Sequence, residues 1–252
     1  MAPCDIRQTE CQEDIFLYLQ MLRGDGWNAF TEMPPVGTIT LEQFRKTLLG
    51  PTSDEDLPPN PWDEALRLLS LIPPESSAVE ASAEVMVADV VAYYSYHTRS
   101  VTVIDRGEPQ DLAYETEILA HEFVHAIQDR EIGGPSPYAT VDEAFARDAY
   151  VEGEAVLYEL LVGLHMADRS PQLVDWDSFY GQIVGDVRKS VVESSAPFYT
   201  ARELVYPLGA EYLTRRYLQG GNAALRTAYA ERLATGADYM AGMDLESEGI
   251  RR

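Results

Sequence analysis

The spacing of apolar residues along the chain predicts a series of helices. Apolar positions recur at helical intervals, and glycine, proline or a capping residue marks many segment ends. Thr40 and Gln43, for example, have the spacing of a capping box at the start of a helix. The pattern predicts helices over residues 14–22, from residue 41, over 62–72, 114–130 and 141–167, and over about 200–218 and 222–234, and residues 76–89 also favour a helix.

One segment predicts β-structure instead. β-Branched and aromatic residues are concentrated in residues 90–96 and 101–105, and the four residues between them favour a hairpin. The chain has no internal repeat, and 252 residues suit one sizeable domain. We therefore predict a mainly α fold with a small antiparallel β-sheet (α+β), formed by a single domain over residues 1–252. Its helical N-terminal part spans about 14–89 and its core about 90–234.

The charge and composition of the chain disfavour several classes of partner. A formal net charge of −23 repels phosphate backbones, so we expect no nucleic-acid partner. No apolar run reaches the roughly 18 residues that a membrane span needs, so we expect no membrane partner. The N-terminus lacks a signal-peptide core, which fits a cytoplasmic protein or one secreted after signal removal. Cys4 and Cys11 either form a disulfide or are free thiols.

The predicted helix over residues 114–130 contains a motif that is typical of zinc hydrolases. His121 and His125 are four residues apart, so their side chains share one face of the helix about one turn apart. Two imidazoles in this arrangement can bind one zinc ion. Glu122 follows the first histidine and is placed to act as a general base without binding the metal. The alternative is a pair of core histidines bonded to backbone or carboxylate groups.

A catalytic zinc site usually needs a third protein ligand, and the next predicted helix offers two candidates. Glu152 and Glu154 point about 200° apart on a helix, so only one of them can face the metal directly. Gly153 between them is expected to let the two helices approach closely. The metzincin pattern is excluded, because Gln128 and Glu131 stand where that pattern has glycine and histidine.

These segments together resemble a known family. The runs LAHEFVHAIQDR and AYVEGEAVLYEL are similar to those of gluzincin metallopeptidases, and more closely to a group of bacterial zinc-peptidase-like proteins. The preceding YYSYHTRSVTVID resembles the strand pair of that group. The resemblance implies a zincin-like domain with Glu152 as metal ligand and Glu154 in a supporting role. The chain departs from the group after Tyr229, where ERLATGADYMAG follows.

We therefore predict a zinc metallopeptidase in which His121, His125 and Glu152 bind Zn²⁺ and Glu122 deprotonates a metal-activated water. Tyr206 matches the family segment at a proline-marked break, and it is our candidate for stabilising the oxyanion; otherwise it is a core aromatic. The second nitrogens of the histidines also need partners, and the candidates are Asp129, Glu143, Asp148 and Glu154.

Two other functions use the same residues. The protein could be a catalytically silent, zinc-containing binding or regulatory protein, or it could hydrolyse a non-peptide amide or ester. A fourth protein ligand would favour the silent protein, and an open coordination position beside a cleft would favour an enzyme. For the enzyme, the expected partner is a peptide or protein substrate. The residues leave the oligomeric state and the cellular location open.

Overall fold

The computed structural model describes residues 1–24, 32–49, 61–107, 111–134, 140–194, 196–230 and 235–236. The described chain is mainly helical with a small sheet, which confirms the predicted fold class. The predicted helix end at residues 231–234 lies outside the described residues. The helices are α1 (Thr9–Arg23), α2 (Leu41–Leu49), α3 (Pro61–Leu68), α4 (Ala78–Asp89), α5 (Leu112–Ile132), α6 (Val141–Met166), α7 (Trp176–Glu193), α8 (Pro197–Thr200) and α9 (Val205–Ala230).

The sheet has three strands: β1 (Val36–Thr40), β2 (Ala92–Ser95) and β3 (Ser100–Asp105). Strands β2 and β3 form the predicted antiparallel hairpin, with Tyr94 opposite Val101. Strand β1 was not predicted. It pairs in parallel with the other edge of β3, so the sheet is mixed rather than purely antiparallel. Its five residues are mostly exposed and include a glycine, so they carry little of the alternating apolar signal that identifies a strand.

Local sequence signals placed some helix boundaries correctly and others not. The backbone N–H of Thr40 donates to Gln43 Oε1 at 2.8 Å, and the N–H of Gln43 donates to Thr40 Oγ1 at 3.2 Å, so the capping box of α2 is formed. Helix α3 ends at Leu68, earlier than predicted, and Ser70 in the following turn has a φ of 56°. Residues 76–89 contain helix α4.

Helix α7 was missed by the sequence prediction. Gly181 and Gly185 lie within it and lower its helix propensity, since glycine in a helix interior costs about 1 kcal/mol relative to alanine. Only Trp176 and Tyr180 of this helix are buried. The apolar stripe is therefore too short to produce a clear helical period.

Helices α5 and α6 form the centre of the core. Helix α5 packs against α1, α6 and the hairpin, and α6 packs against α5 on one side and α9 on the other. The apolar side chains of both helices belong to one buried cluster, in which Leu119, Phe123, Leu157 and Val162 are fully buried. Any polar side chain directed between α5 and α6 therefore needs a compensating partner.

Gly153 does permit a close helix approach, but to a different helix from the one predicted. A Cβ atom at Gly153 would lie 2.6 Å from the backbone nitrogen of Ala210, in α9. A Cβ at Gly209 would in turn overlap the backbone of Ala149, in α6. The contact that requires glycine is thus between α6 and α9, and the expected role of Gly153 in bringing α5 and α6 together was wrong.

The N-terminal segment is attached to the core by a disulfide and by backbone contacts. Cys4 and Cys11 are bridged, with their Cα atoms 5.8 Å apart, which decides between the two alternatives for these cysteines. The N–H of Cys4 donates to Thr116 Oγ1 of α5 at 3.2 Å, and Ile6 is fully buried. Within the described part of the chain, no helix has the length and apolarity needed to cross a membrane.

The glycine contact predicts a stability effect. Gly153→Ala should lower the free energy of unfolding by about 1–3 kcal/mol, because the new methyl group meets the backbone of α9, which cannot move aside like a side chain. The control is Gly181→Ala in α7, which meets no atom within 4 Å. The free energy of unfolding of this variant should rise by up to about 1 kcal/mol, because alanine has a higher helix propensity than glycine. Urea unfolding measures both, and equal stability of the two variants would contradict the packing described.

Candidate metal centre

Helix α5 presents the two histidines on one buried face. The helix is capped by Asp111, whose Oδ1 accepts a hydrogen bond from the N–H of Ala113 at 2.8 Å. Ten residues later His121 begins the motif, and the ring centroids of His121 and His125 are 4.8 Å apart. Both side chains are buried. The spacing of four residues on one helix therefore gives two adjacent imidazoles inside the protein.

Helix α6 brings a carboxylate to both imidazoles. Glu152 Oε2 lies 3.2 Å from Nε2 of His121 and 3.2 Å from Nε2 of His125. Ligand atoms bound about 2.0–2.1 Å from a tetrahedral metal are themselves roughly 3.3 Å apart, so this spacing fits a shared ion. One donor atom from each of the three residues lies within 4.8 Å of the others. His121, His125 and Glu152 thus form a group that can hold a metal ion.

Glu154 points to the other side of α6, as residues two apart on a helix must. Its carboxylate is fully buried and accepts hydrogen bonds from Arg23 and Tyr229, and from Gln128 Nε2 at 2.7 Å. The carboxylate beside the two histidines is therefore that of Glu152, and Glu154 lies behind the cluster.

The second ring nitrogen of each histidine also has a partner. Nδ1 of His121 lies 2.9 Å from Glu159 Oε2, and Nδ1 of His125 lies 2.9 Å from Gln128 Oε1. An acceptor at Nδ1 holds the proton there and leaves Nε2 free to bind a metal. Glu159 follows Glu152 by seven residues, so the two lie on one face of α6, and this spacing could have identified it.

None of the four carboxylates suggested by the sequence is the partner of a histidine Nδ1. Asp129 accepts from the Tyr94 hydroxyl, the Glu143 carboxylate accepts from the Thr140 N–H at the start of α6, Asp148 pairs with Arg202, and Glu154 has the partners given above. The prediction for these partners was therefore wrong. It failed because each position depends on which helix face meets α5, and the sequence does not specify this.

The cluster changes the acid–base properties of its members. Burial lowers the pKa of His121, but hydrogen bonds to Glu152 and Glu159 outweigh it and raise that pKa well above the usual value. Burial likewise lowers the pKa of His125, and the nearby Glu152 carboxylate raises it above its usual value. Burial would raise the pKa of Glu152, but the two histidines hold it far below the ordinary range. The cluster is thus an ionic one whose protons a metal ion would displace.

Glu122 lies beside the three potential ligands. It is buried, and its Oε2 accepts a hydrogen bond from the backbone N–H of Tyr94, in the edge strand β2, at 2.6 Å. Burial raises the pKa of Glu122, and the positive charge of the two histidines partly offsets this rise. A carboxylate with a raised pKa is better suited to accept and return a proton near neutral pH.

A cavity of about 450 Å³ opens beside the cluster. Strand β2 forms one wall, and Tyr206 from the start of α9 contributes to the lining. The ring of Tyr206 lies 6.1 Å from that of His121, and 40% of the residue is exposed, so it is not a core aromatic. The charge of Glu152 and burial raise the pKa of Tyr206, so its hydroxyl keeps its proton.

Other tyrosines of the cavity were missed by the sequence analysis, among them Tyr96. The ring of Tyr96 lies 6.5 Å from that of His125 and edge-on to that of Tyr94, 5.2 Å away. Tyr96 follows Tyr94 by two residues, just after the end of β2, and this two-residue spacing was a readable signal. The two remaining histidines lie outside the cluster: His97 is exposed in the hairpin turn, and His165 stacks on Tyr18.

The sequence matches no protein-family model, and neither curated proteins nor solved structures give a match to it. The interpretation of the site therefore depends on its own residues and their geometry.

The raised histidine pKa values predict how metal binding depends on pH. Zinc uptake near neutral pH should release about one to two protons per ion, because the ligand nitrogens must be deprotonated. The affinity should therefore fall as the pH decreases. Calorimetric titration of zinc in buffers of different ionisation enthalpy measures the release. His165→Gln, which removes a histidine outside the cluster, should leave the proton release unchanged. An affinity independent of pH would contradict this assignment.

Proposed function

We propose that the protein is a zinc-dependent peptidase. The observation that carries the proposal is the position of Glu122: a buried carboxylate next to three potential ligand atoms, at the wall of a cavity. Two imidazoles and one carboxylate are a common zinc ligand set, and three protein ligands leave a coordination position open. Among the described residues, the group that can hold a metal has three members, which favours a catalytic site over a closed structural one.

The residues around the group supply the remaining chemistry. A zinc ion held there would act as a Lewis acid on the scissile carbonyl and on the attacking water. With such an ion bound, Glu122 would take the proton from the attacking water and deliver it to the leaving amine, and its raised pKa would suit both transfers. The hydrogen bond from the Tyr94 N–H keeps the Glu122 carboxylate in place while the proton moves.

Tyr206 is suited to stabilise the negative charge that develops on the carbonyl oxygen. Its raised pKa keeps the hydroxyl protonated, so the hydroxyl can donate a hydrogen bond. Its position at the start of α9 depends on the close contact of Gly209 with α6, three residues later. The residue that stabilises the oxyanion is thus placed by the packing of α6 and α9.

The size and lining of the cavity suit an organic substrate such as a peptide. Its volume of about 450 Å³ is within the range of roughly 300–1,000 Å³ that is usual for ligand sites. Tyr93, Tyr94 and Tyr96 contribute to the wall on the β2 side, and Val156 and Met86 contribute apolar surface elsewhere. Amide and ester substrates of similar shape would use the same catalytic residues.

One observation favours the alternative of a silent zinc-containing binding protein. The carboxylate of Glu122 is bonded to the backbone of β2, so this residue could serve only to attach the hairpin to α5. In that case its basicity would have no use. The two functions therefore differ in what the loss of the Glu122 charge should do.

Glu122→Gln is the test. The amide oxygen of glutamine can still accept the Tyr94 N–H bond, so folding and zinc content should stay close to wild type. Peptide cleavage should fall by about 100- to 10,000-fold, because glutamine cannot act as a base. Zinc stoichiometry and cleavage of a peptide library are measured on the same preparations.

The control for this experiment is Glu115→Gln, the same substitution two turns earlier in α5, where the carboxylate is buried 4.0 Å from Arg7. It should leave cleavage unchanged. Cleavage that survives Glu122→Gln would remove Glu122 from the mechanism. A wild-type protein that binds zinc but cleaves no peptide would favour the binding protein instead.

A further inference from the structure

A chain of buried polar groups leads from helix α1 to the histidine of the metal centre. Arg23 at the end of α1 pairs with Glu154 of α6, Glu154 accepts from Gln128 of α5, and Gln128 accepts from His125. Arg23, Glu154 and Gln128 are each at most 2% exposed. None of the three contacts the cavity beside the cluster.

The orientation of the Gln128 amide follows from its partners. Its Nε2 lies 3.0 Å from the carbonyl oxygen of Val151 and 2.7 Å from Glu154 Oε2. A carbonyl and a carboxylate only accept hydrogen bonds, so the NH₂ group must face them. The amide oxygen must then face His125, 2.9 Å from Nδ1. Since this oxygen cannot donate, Nδ1 carries the proton.

This protonation is the one that a metal ligand needs. With the proton on Nδ1 held by Gln128, Nε2, which lies 3.2 Å from Glu152 Oε2, is the nitrogen of His125 that gives up its proton when a metal binds. If the Gln128 amide were reversed, its NH₂ group would face Nδ1 and move the proton to Nε2. Val151 and Glu154 oppose that reversal, because both accept hydrogen bonds from the NH₂ group. For Glu154 this requires that its carboxylate stay in place.

Arg23 holds the Glu154 carboxylate in place through a buried ion pair. Burial opposes the charge of Arg23, but the neighbouring Glu154 carboxylate outweighs burial and raises the pKa of Arg23, so its guanidinium stays charged. Arg23 also pairs with Glu131 at 2.6 Å, and its guanidinium lies over the ring of Tyr158. The Tyr229 hydroxyl is a further donor to Glu154. A buried ion pair contributes little stability compared with apolar packing, so stability alone does not account for this arrangement.

We propose that Gln128, Glu154 and Arg23 are positioning residues for the metal ligand His125. Together they fix the proton on Nδ1 and the direction of Nε2, although none of them touches the metal. The proposal rests on the zinc-binding part of the proposed function and is independent of peptide cleavage. His121 is held differently, by the directly bonded carboxylate of Glu159. The two ligands should therefore respond to different substitutions.

Gln128→Met is the primary test, because methionine has a similar volume but neither accepts from Nδ1 nor donates to Glu154. Zinc affinity, measured by competition with a chelator, should fall by about 10- to 100-fold. NMR of the ¹⁵N-labelled, metal-free protein provides a second measurement. The Nδ1–H of His125 should exchange slowly with water in the wild type and rapidly in the variant, while that of His121 should not change.

Glu154→Gln is a second variant that keeps size and polarity, and it should weaken zinc binding in the same direction. The control is Thr214→Val, which removes the buried hydrogen bond between Thr214 of α9 and Tyr180 of α7 at 2.8 Å. It should lower stability without changing zinc affinity or the His125 signal.

Several results would overturn the proposal. One is zinc affinity within twofold of wild type in both network variants. Another is a metal-free wild-type protein in which His125 lacks a protected Nδ1–H, and this measurement requires no variant to fold. If the wild type binds no zinc but shows the protected Nδ1–H, the proposed zinc function fails while the positioning of His125 stands.

Discussion

The meeting of two imidazoles and one carboxylate between α5 and α6 is the interaction on which the rest of the structure depends. The two histidines are buried and Glu152 is half-buried, and such groups need compensating partners because removing a charge from water costs several kcal/mol or more. Glu152 satisfies both histidines at 3.2 Å, and a metal ion would satisfy all three groups together. The surrounding elements have two tasks: to hold these atoms within bonding distance and to leave one side open.

The first task is performed by groups behind the ligands, and the second by the hairpin and α9. Glu159 and Gln128 hold the outer nitrogens of the histidines, so that both Nε2 atoms face Glu152. In front, the hairpin is bound to α5 through Glu122 and through the Tyr94 hydroxyl, which donates to Asp129 at 2.9 Å. The same contacts that attach the sheet to the core therefore also form one wall of the cavity.

Local sequence patterns identified the residue types of the metal site, and long-range packing determines which of the candidates meet. The four-residue spacing of His121 and His125 determines that the imidazoles are adjacent, whatever packs around them. The two-residue spacing of Glu152 and Glu154 determines that they point apart, but only the packing of α6 shows which one meets the histidines. Sequence reasoning therefore found most of the helices and the ligand types, and a family resemblance chose Glu152.

Three features that the sequence did not reveal depend on distant partners. Strand β1 pairs with β3 across more than sixty residues, and its own five residues have little strand character. Gly153 was understood as a close-approach residue, but its neighbour in α9 is more than fifty residues away in sequence. Gln128 was noted only as a departure from another motif, and the orientation of its amide toward His125 depends on Val151 and Glu154 in the next helix. In each case the residue's role is set by a contact that no local pattern encodes.

The central claim is that His121, His125 and Glu152 bind one zinc ion and leave a position open. X-ray absorption at the zinc edge, on protein loaded with one equivalent of zinc, tests it most directly. The account predicts two imidazole nitrogens and additional oxygen ligands at about 2.0–2.1 Å, with no sulfur. Failure to take up zinc, or a site closed by four protein side chains, would contradict it.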